Sequence, residues 1–198
     1  MTNFLFFFLE LISNSQHSLC QTHKNEKKIY IKDFKWTITI PESFDSINAI
    51  EWERLKNVGR SETFKATGVT VTPSSKTILT FKKQKFNYID ASYTIIDYTD
   101  KEEYLDILKY GTSVIYNTFK AKLPNSKLDT LYSEEKIDGL LFQTFKLIIN
   151  VSKSQTIEVR SYSRIFSDKQ LVINITADNE ENLKLLLNAW ENSKFIIE

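Results

Sequence analysis

The chain has 198 residues, of which 41% are hydrophobic and 26% are charged. This composition is typical of a globular domain and excludes a disordered or fibrous chain. The 26 basic and 25 acidic residues nearly balance, with a formal net charge of +1. A charge so close to zero gives no electrostatic basis for binding nucleic acid or an anionic membrane surface.

Imidazole and thiol groups are confined to the N-terminal end of the sequence. Cys20 is the one cysteine, and His17 and His23 are the two histidines. The rest of the sequence therefore lacks the residues for Ser-His-Asp or Cys-His catalysis, for His or Cys zinc sites and for an intrachain disulfide. The four glycines match neither the P-loop nor the dinucleotide fingerprint. We therefore expect a non-catalytic protein without cofactor or metal.

The first twenty positions have the outline of a secretory leader. Residues 4–9 are an apolar run followed shortly by polar residues, and the run is shorter than the ~20 residues of a transmembrane helix. Glu10 and the lack of an early Lys or Arg depart from this outline, so a mis-assigned start or a buried N-terminal helix is the alternative. Cys20 is a candidate for lipidation, although Leu19 stands where a lipobox has a small residue. The predicted segments are a leader over 1–20, a polar tether over 21–28 and one domain over 29–198.

The domain opens with a predicted strand and a predicted helix. Apolar and polar residues alternate over 34–40, which is the period of a strand with one buried face. Pro41 ends this strand. Apolar residues at ragged three-to-five-residue intervals then predict a helix over 44–58, which Gly59 would end as its C-terminal cap.

Strands and a longer helix are predicted next. Three segments are rich in Thr, Ile, Val, Tyr and Phe, which favour strands. Thr99 and Glu102 have the spacing of a capping box, and apolar residues then recur every three or four positions. This pattern predicts a helix of about twenty residues packed by one stripe. The three predicted strands are 68–72, 77–82 and 87–98.

The last part of the domain is predicted to be a meander followed by a helix. Four strand-like segments have connections of only a few residues, which demand antiparallel neighbours. Asp178 and Glu181 repeat the capping-box spacing before a third apolar stripe. The predicted fold class is α+β, an antiparallel sheet of about six to eight strands flanked by helices. The four predicted strands are 128–133, 140–151, 156–166 and 170–176.

Three short segments add to this order of elements. They are Trp36-Thr-Ile-Thr-Ile-Pro41, Phe86-Asn-Tyr-Ile-Asp-Ala-Ser-Tyr93 and Trp190-Glu-Asn-Ser-Lys-Phe195. With the order of elements, they resemble the PsbP-like superfamily of α/β/α sandwiches over roughly residues 29–195. The resemblance implies a scaffold for binding or assembly and carries no general catalytic residue set. The abundance of Lys, Asn and Ile is similar to that of exported proteins of Bacteroidetes type.

Charged clusters in the sequence have ordinary structural explanations. Two of the three acids Glu102, Glu103 and Asp106 fall in the first turn of a predicted helix, where the helix dipole favours negative charge, and the acids within 178–181 have the same explanation. The acids within 134–138 lie at a predicted hairpin with no identifiable facing acid, as a glycosidase would need. Lysines within 82–85 suit a strand end, where Lys protects a sheet edge.

Aromatic residues make up 13% of the chain, and we expect most of them in the core. Some of them could instead line an exposed surface that binds a partner. Trp52 is the leading candidate because it need not lie on the apolar stripe of its helix, although burial is the more ordinary outcome. Tyr88, Tyr93 and Tyr162 are the further candidates.

Three functions fit these patterns. The first is a non-catalytic, extracytoplasmic binding or assembly accessory protein, periplasmic or associated with the cell envelope, whose partner is another protein or an envelope component. The second is a cytoplasmic interaction or immunity-type protein. The third is a carboxylate-dependent hydrolase, which requires two acids converging in one pocket. No nucleic-acid partner is expected, and membrane contact is expected only through the leader or a lipid on Cys20.

Overall fold

The computed structural model describes residues 26–72, 74–97, 100–152 and 154–196. Within these ranges the backbone forms ten strands and three α-helices. The helices are α1 (Ala49–Thr67), α2 (Lys101–Lys122) and α3 (Glu180–Glu191). The strands are β1 (Lys27–Ile31), β2 (Trp36–Ile40), β3 (Asp45–Ser46), β4 (Lys76–Lys83), β5 (Asn87–Ile95), β6 (Lys127–Ile137), β7 (Leu140–Asn150), β8 (Thr156–Phe166), β9 (Lys169–Ala177) and β10 (Lys194–Phe195).

Seven strands form one large sheet in the order β3-β4-β5-β9-β8-β7-β6. Every neighbouring pair in it is antiparallel. The meander from β6 to β9 follows chain order because its short turns allow only adjacent pairing. The predicted antiparallel sheet of six to eight strands, flanked by helices, is confirmed.

A second, smaller sheet has the order β1-β2-β10. Its central strand β2 places Trp36 opposite Ile31 on one side and Phe195 on the other. The predicted tether over 21–28 is wrong at its last two positions, because Lys27 and Lys28 pair with β2 through backbone hydrogen bonds that side-chain polarity does not reveal.

One face of the large sheet packs against α3 and the small sheet. This face carries the largest apolar core, in which Trp36 and Trp190 are fully buried. Their rings meet edge to face at 5.7 Å, and Phe142 contacts Trp190 at 5.1 Å. Aromatic pairs of this geometry stabilise beyond the area that they bury, so this layer anchors the fold.

The opposite face packs against α1 and α2. Apolar side chains fill its two ends: Phe119 of α2 packs with Phe145 and Leu147 at one end, and Leu55 of α1 packs with Tyr88 at the other. The centre of this face is polar instead. The chain is therefore a three-layer sandwich whose two interfaces differ in chemistry.

The first helix is longer than predicted and ends at a different glycine. α1 continues through Gly59, which is buried, to Thr67. Gly68, at φ 71°, is the left-handed cap, and its N–H donates to the carbonyl of Phe64 at 2.8 Å. The strand predicted over 68–72 is absent from the residues that the structure describes there, because this segment is the connection that follows the helix cap.

The N-caps of the other two helices each lie one residue later than predicted. Asp100 caps α2 by accepting from the Glu102 N–H at 2.6 Å, and Thr99 lies outside the described residues. Asn179 rather than Asp178 caps α3, accepting from the Asn182 N–H at 2.9 Å. Both are acceptor side chains of the preferred cap type. No helix in the part of the chain that the structure describes combines the length and apolar content needed to cross a bilayer.

Candidate functional site

The centre of the sheet face beneath α1 and α2 carries a row of hydrogen-bonded polar side chains. Asp90 on β5 and Ser161 on β8 are both register partners of Asn174 on β9, which lies between them. The Asn174 Nδ2 donates to Asp90 Oδ2 at 2.9 Å, and the Ser161 hydroxyl donates to Asn174 Oδ1 at 2.9 Å. Asp90 and Asn174 are buried. These three residues form a continuous polar row across three strands.

Asp90 is the titratable end of the polar row. Burial raises its pKa to about 7, against the opposing effects of the Asn174 hydrogen bond and the Lys56 charge. Lys56 on α1 is itself buried, and its Nζ donates to Thr77 Oγ1 at 3.1 Å and pairs with Glu53. Desolvation disfavours the charged form of a carboxyl group, so Asp90 keeps its proton to a higher pH than an exposed carboxyl group does.

At Ser161 the polar row meets a cleft between α2 and the outer strands β6, β7 and β8. The cleft has a volume of about 470 Å³. This volume falls within the ~300–1,000 Å³ of small-molecule sites. We call it the α2 cleft and define it by Leu105, Leu108, Tyr132, Phe145, Ser161 and Ser163.

The walls of the α2 cleft are mainly apolar, with fixed polar groups at the rim. The rings of Tyr132 and Phe145 lie 5.0 Å apart on neighbouring strands. The Tyr132 hydroxyl is 2.6 Å from Thr112 Oγ1, which ties α2 to the edge strand β6. The Gln143 amide donates to the Glu134 carboxylate across the β6–β7 pair. These contacts hold the helix and strands apart at a defined spacing.

The acids do not form a catalytic pair in this cleft. Among the described residues that line it, Glu134 is the one carboxylate, and Asp90 lies outside the lining, two strands away from Ser161 and beyond Asn174. Glycosidase chemistry needs two carboxyl groups flanking one bond. Within the described ranges, no group of three or more His, Cys, Asp or Glu side chains could hold a metal ion. The arrangement can bind a ligand, and its residues do not form an acid–base pair.

The aromatic residues predicted to form a partner surface lie elsewhere. Trp52 and Tyr88 are each 3% exposed, with ring centroids 6.3 Å apart, and the Trp52 Nε1 donates to Thr77 Oγ1 at 3.2 Å. Both residues are therefore buried, the more ordinary outcome expected for Trp52, and neither contributes to an exposed partner surface; α1 turns Trp52 onto the stripe that faces the sheet. Tyr162 is fully buried, whereas Tyr93 is half-buried. Cys20, the candidate lipidation site, lies outside the described residues.

The large apolar side chains that are exposed on α2 and β6 were not among the candidates predicted from the sequence. Tyr110 on α2 and Leu131 and Tyr132 on β6 are more than half exposed. β6 has no strand partner on its outer side within the described sheet. Of these three residues, Tyr132 lines the cleft, whereas Tyr110 and Leu131 are outside its lining.

The predicted placement of acids in the first turns of two helices is confirmed. Glu102 and Glu103 lie in the first turn of α2, and Glu180 and Glu181 lie in the first turn of α3. The lysines near the β4–β5 turn are also satisfied locally, since Lys82 pairs with Glu51 and Lys83 donates to Asn182.

The polar row itself was missed. Its signal in the sequence is the polar residue at every second position of three strands, as in Asp90 and Ser92 or Ser161 and Ser163. Such alternation ordinarily indicates a strand face exposed to water. Only the three-dimensional placement of α1 and α2 over that face turns it into a buried network.

The layers and connectivity define a PsbP-like α/β sandwich. In a comparison with solved structures, the chain is similar to the cyanobacterial PsbP (CyanoP) from Synechocystis sp. PCC 6803, with 8% identity, a TM-score of 0.54, and coverage of 93% of this chain and 99% of that one. The Ran-binding protein Mog1p of Saccharomyces cerevisiae has 10% identity and a TM-score of 0.42, with coverage of 86% and 95%. No protein-family model and no curated protein sequence matches the chain. At these identities the likeness to PsbP shows the fold alone.

Proposed function

We propose that this protein is a non-enzymatic binding module that holds an apolar ligand in the α2 cleft. The observation that carries the proposal is the cleft itself, about 470 Å³ between α2 and the sheet, with apolar walls and two hydroxyl groups on its floor. A concave, largely apolar site with a few convergent polar groups is the usual form of a small-molecule site.

The walls favour a ligand with a substantial apolar part. Leu105 and Leu108 on α2 are half-buried, so part of each side chain faces the open cleft. Removing this surface from water on ligand binding is favourable at about 25 cal/mol per Å² of apolar area. The aromatic wall of Tyr132 and Phe145 faces the same space, so flexible and planar apolar groups both have a complementary surface.

The test uses one substitution that fills the cleft and one matched substitution that does not. In Leu105→Trp the indole occupies the cleft, whereas Ile107→Trp adds the same ring at another half-buried α2 position that is outside the cleft lining. We expect the wild type and Ile107→Trp to bind the neutral fluorophore phenylnaphthylamine, with an increase in its fluorescence, and Leu105→Trp to bind at least tenfold more weakly.

Circular dichroism melting of both variants verifies that each is folded before the comparison. Equal fluorophore affinity in wild type and Leu105→Trp would place the binding elsewhere and end the proposal. Absence of binding by the wild type would end it as well.

We further infer that the protein acts outside the cytoplasm on another protein or a cell-envelope component, with Cys20 as a lipid attachment point. The support is in the sequence: the apolar run over 4–9 with a cysteine a short distance after it, which has the order of a leader and its processing region. A folded body without further cysteine is compatible with an oxidising compartment, because no unpaired thiol remains in it.

A further inference from the structure

The two serines on the floor of the α2 cleft have opposite hydrogen-bonding roles. The Ser161 hydroxyl donates its proton to Asn174 Oδ1 at 2.9 Å, so lone pairs remain on its oxygen. The Ser163 oxygen instead accepts from the Tyr104 hydroxyl and from Gln170 Nε2, each at 2.9 Å. A serine hydroxyl has one proton and two lone pairs. Ser161 is therefore left as an acceptor and Ser163 as a donor.

These roles are fixed by surroundings that a ligand cannot easily rearrange. The partners of Ser163 come from α2 and β9, and the Ser163 side chain and Gln170 are buried. The partner of Ser161 is Asn174, whose amide nitrogen is in turn used on Asp90. When Asp90 is ionised, as at the pH 8 of the test below, reversing the Ser161 bond would need the Asn174 amide to turn over and lose its bond to Asp90.

The spacing of the two hydroxyl groups suits a single small functional group. Ser161 and Ser163 are two residues apart on β8 and therefore point to the same face, about 7 Å apart along the strand. A group that accepts from one and donates to the other through hydrogen bonds of about 2.9 Å each spans this separation. A primary carboxamide has both a carbonyl acceptor and an N–H donor in that arrangement.

Charge around the floor favours a neutral group over an ion. Lys109 is the one basic residue among the described lining residues, and its side chain is 68% exposed at the rim, near Asp106 at 3.7 Å. Glu134 is the one acidic lining residue and accepts from Gln143. Neither lies on the floor beside the serines. Burying an ion without a partner of opposite charge is costly, and the nearest acid of the polar row, Asp90, is two strands away from Ser161.

We propose that the α2 cleft selects a neutral amphiphile whose head is a primary carboxamide and whose body is a medium-length aliphatic chain. The amide carbonyl accepts from Ser163, the amide N–H donates to Ser161, and the chain lies along Leu105 and Leu108. This inference rests on the binding function proposed above for the same cleft.

The test compares three probes that share one chain and differ only in the head: octanamide, octanoate and octylammonium. Binding is measured by isothermal titration calorimetry at pH 8 with the full chain. We expect octanamide to bind at least tenfold more tightly than either ion. Octanoate or octylammonium binding as tightly as octanamide would overturn the neutral-head inference and leave the cleft as a binding site. Failure of all three probes together with phenylnaphthylamine would overturn the binding function itself.

Serine variants test the assignment of the head group. Ser163→Ala removes the donor, and we expect octanamide affinity to fall about five- to tenfold, as the loss of one hydrogen bond predicts. Ser161→Ala, which leaves Tyr104 and Gln170 with their Ser163 partner, provides a second measurement if Ser163→Ala folds poorly, and its affinity should fall similarly. Ser113→Ala is the control, because Ser113 is exposed on α2 outside the cleft lining and its hydroxyl donates to the Tyr110 carbonyl. Unchanged affinity in both floor variants would overturn the assignment.

Discussion

Folding buries the carboxyl group of Asp90. Its hydrogen-bond donor on the neighbouring strand is a neutral amide and not a cation. Its hydrogen bond comes from the neutral Asn174 amide, and the charge of Lys56 acts on it from α1. Burial consequently dominates and raises its pKa to about 7. The same carboxylate raises the pKa of the buried Tyr88 phenol, after the larger effect of burial.

The raised pKa of Asp90 predicts a definite pH dependence of stability. The unfolded chain releases this proton near pH 4, whereas the folded chain holds it until about pH 7. The free energy of unfolding should therefore fall as pH rises from about 4 to 7, and this contribution should be constant above that. At about 1.4 kcal/mol for each pKa unit, the fall is on the order of 4 kcal/mol.

In the variant Asp90→Asn the free energy of unfolding should no longer decrease over this pH range. The Asn side chain stays neutral and can still accept a hydrogen bond from Asn174. Urea unfolding measured at pH 5 and pH 8 checks this: the wild type should be the less stable protein at pH 8, and the variant should change much less between the two. Asp106→Asn, at an exposed position of α2, is the matched control and should keep the wild-type slope. A wild-type slope in Asp90→Asn would show that Asp90 titrates normally.

Residue-scale features of this kind are the hardest to predict from sequence. Asp90 lies in a strand pattern that alternates with Ile89 and Ala91, and nothing local separates a polar face covered by helices from one exposed to water. The same limit explains Trp52, whose burial depends on the rotation of α1 about its axis. The side chains that became the α2 cleft come from four elements, so no short motif marks them.

Helix α1 shows what local signals determine at the scale of an element. The helix begins after a preferred N-cap residue, Asn48, whose side chain accepts from the Glu51 N–H at 2.8 Å. Its end was predicted nine residues early, because Gly59 is a plausible cap by type. A glycine inside a helix costs about 1 kcal/mol relative to Ala, and the packing of a buried face can offset that amount, so type alone does not locate the cap.

Gly68 gives a direct test of where α1 ends. A Cβ added there would meet no atom within 4 Å, so substitution acts only through the backbone angle φ of +71°. Gly68→Ala should lower the free energy of unfolding by about 1 kcal/mol, because L-residues with a Cβ disfavour this conformation. The measurement is the urea midpoint at unchanged m-value.

Gly68→Asn is the matched comparison, since Asn tolerates the left-handed conformation better than Ala. It should lose clearly less stability than Gly68→Ala. If the two variants were equally unstable, a lost contact rather than the backbone angle would be responsible.

At the scale of the whole molecule, the α+β fold class could be predicted from patterns in the sequence. Period-two alternation and connections of a few residues determine the β6–β9 meander almost completely. The pairing of β5 with β9, which joins residues 87–95 to 169–177 across α2 and the meander, has no local signal. It depends on which strand edge remains free after the meander forms, and only the assembled core determines that.

The proposed export also concerns the whole chain and is tested on it. The intact mass of the protein purified from its native host should be lower than that of the 198-residue chain by a leader ending near Cys20, with an added lipid if that cysteine is modified. Cell fractionation of the same sample should place the protein in the envelope or periplasm. A full-length, unmodified chain in the cytoplasmic fraction would contradict export.

The small sheet has a consequence for how the protein is made. Its central strand places Trp36 against Phe195, with the two rings stacked at 5.9 Å. A ribosome produces Trp36 early and Phe195 last among the described strands, and domains fold as their residues emerge. The Trp36 indole therefore gains its Phe195 stacking partner only after the other nine described strands have been made. Release of β10 would thus uncover one face of this indole, so the last described strand acts as a cover for the main core.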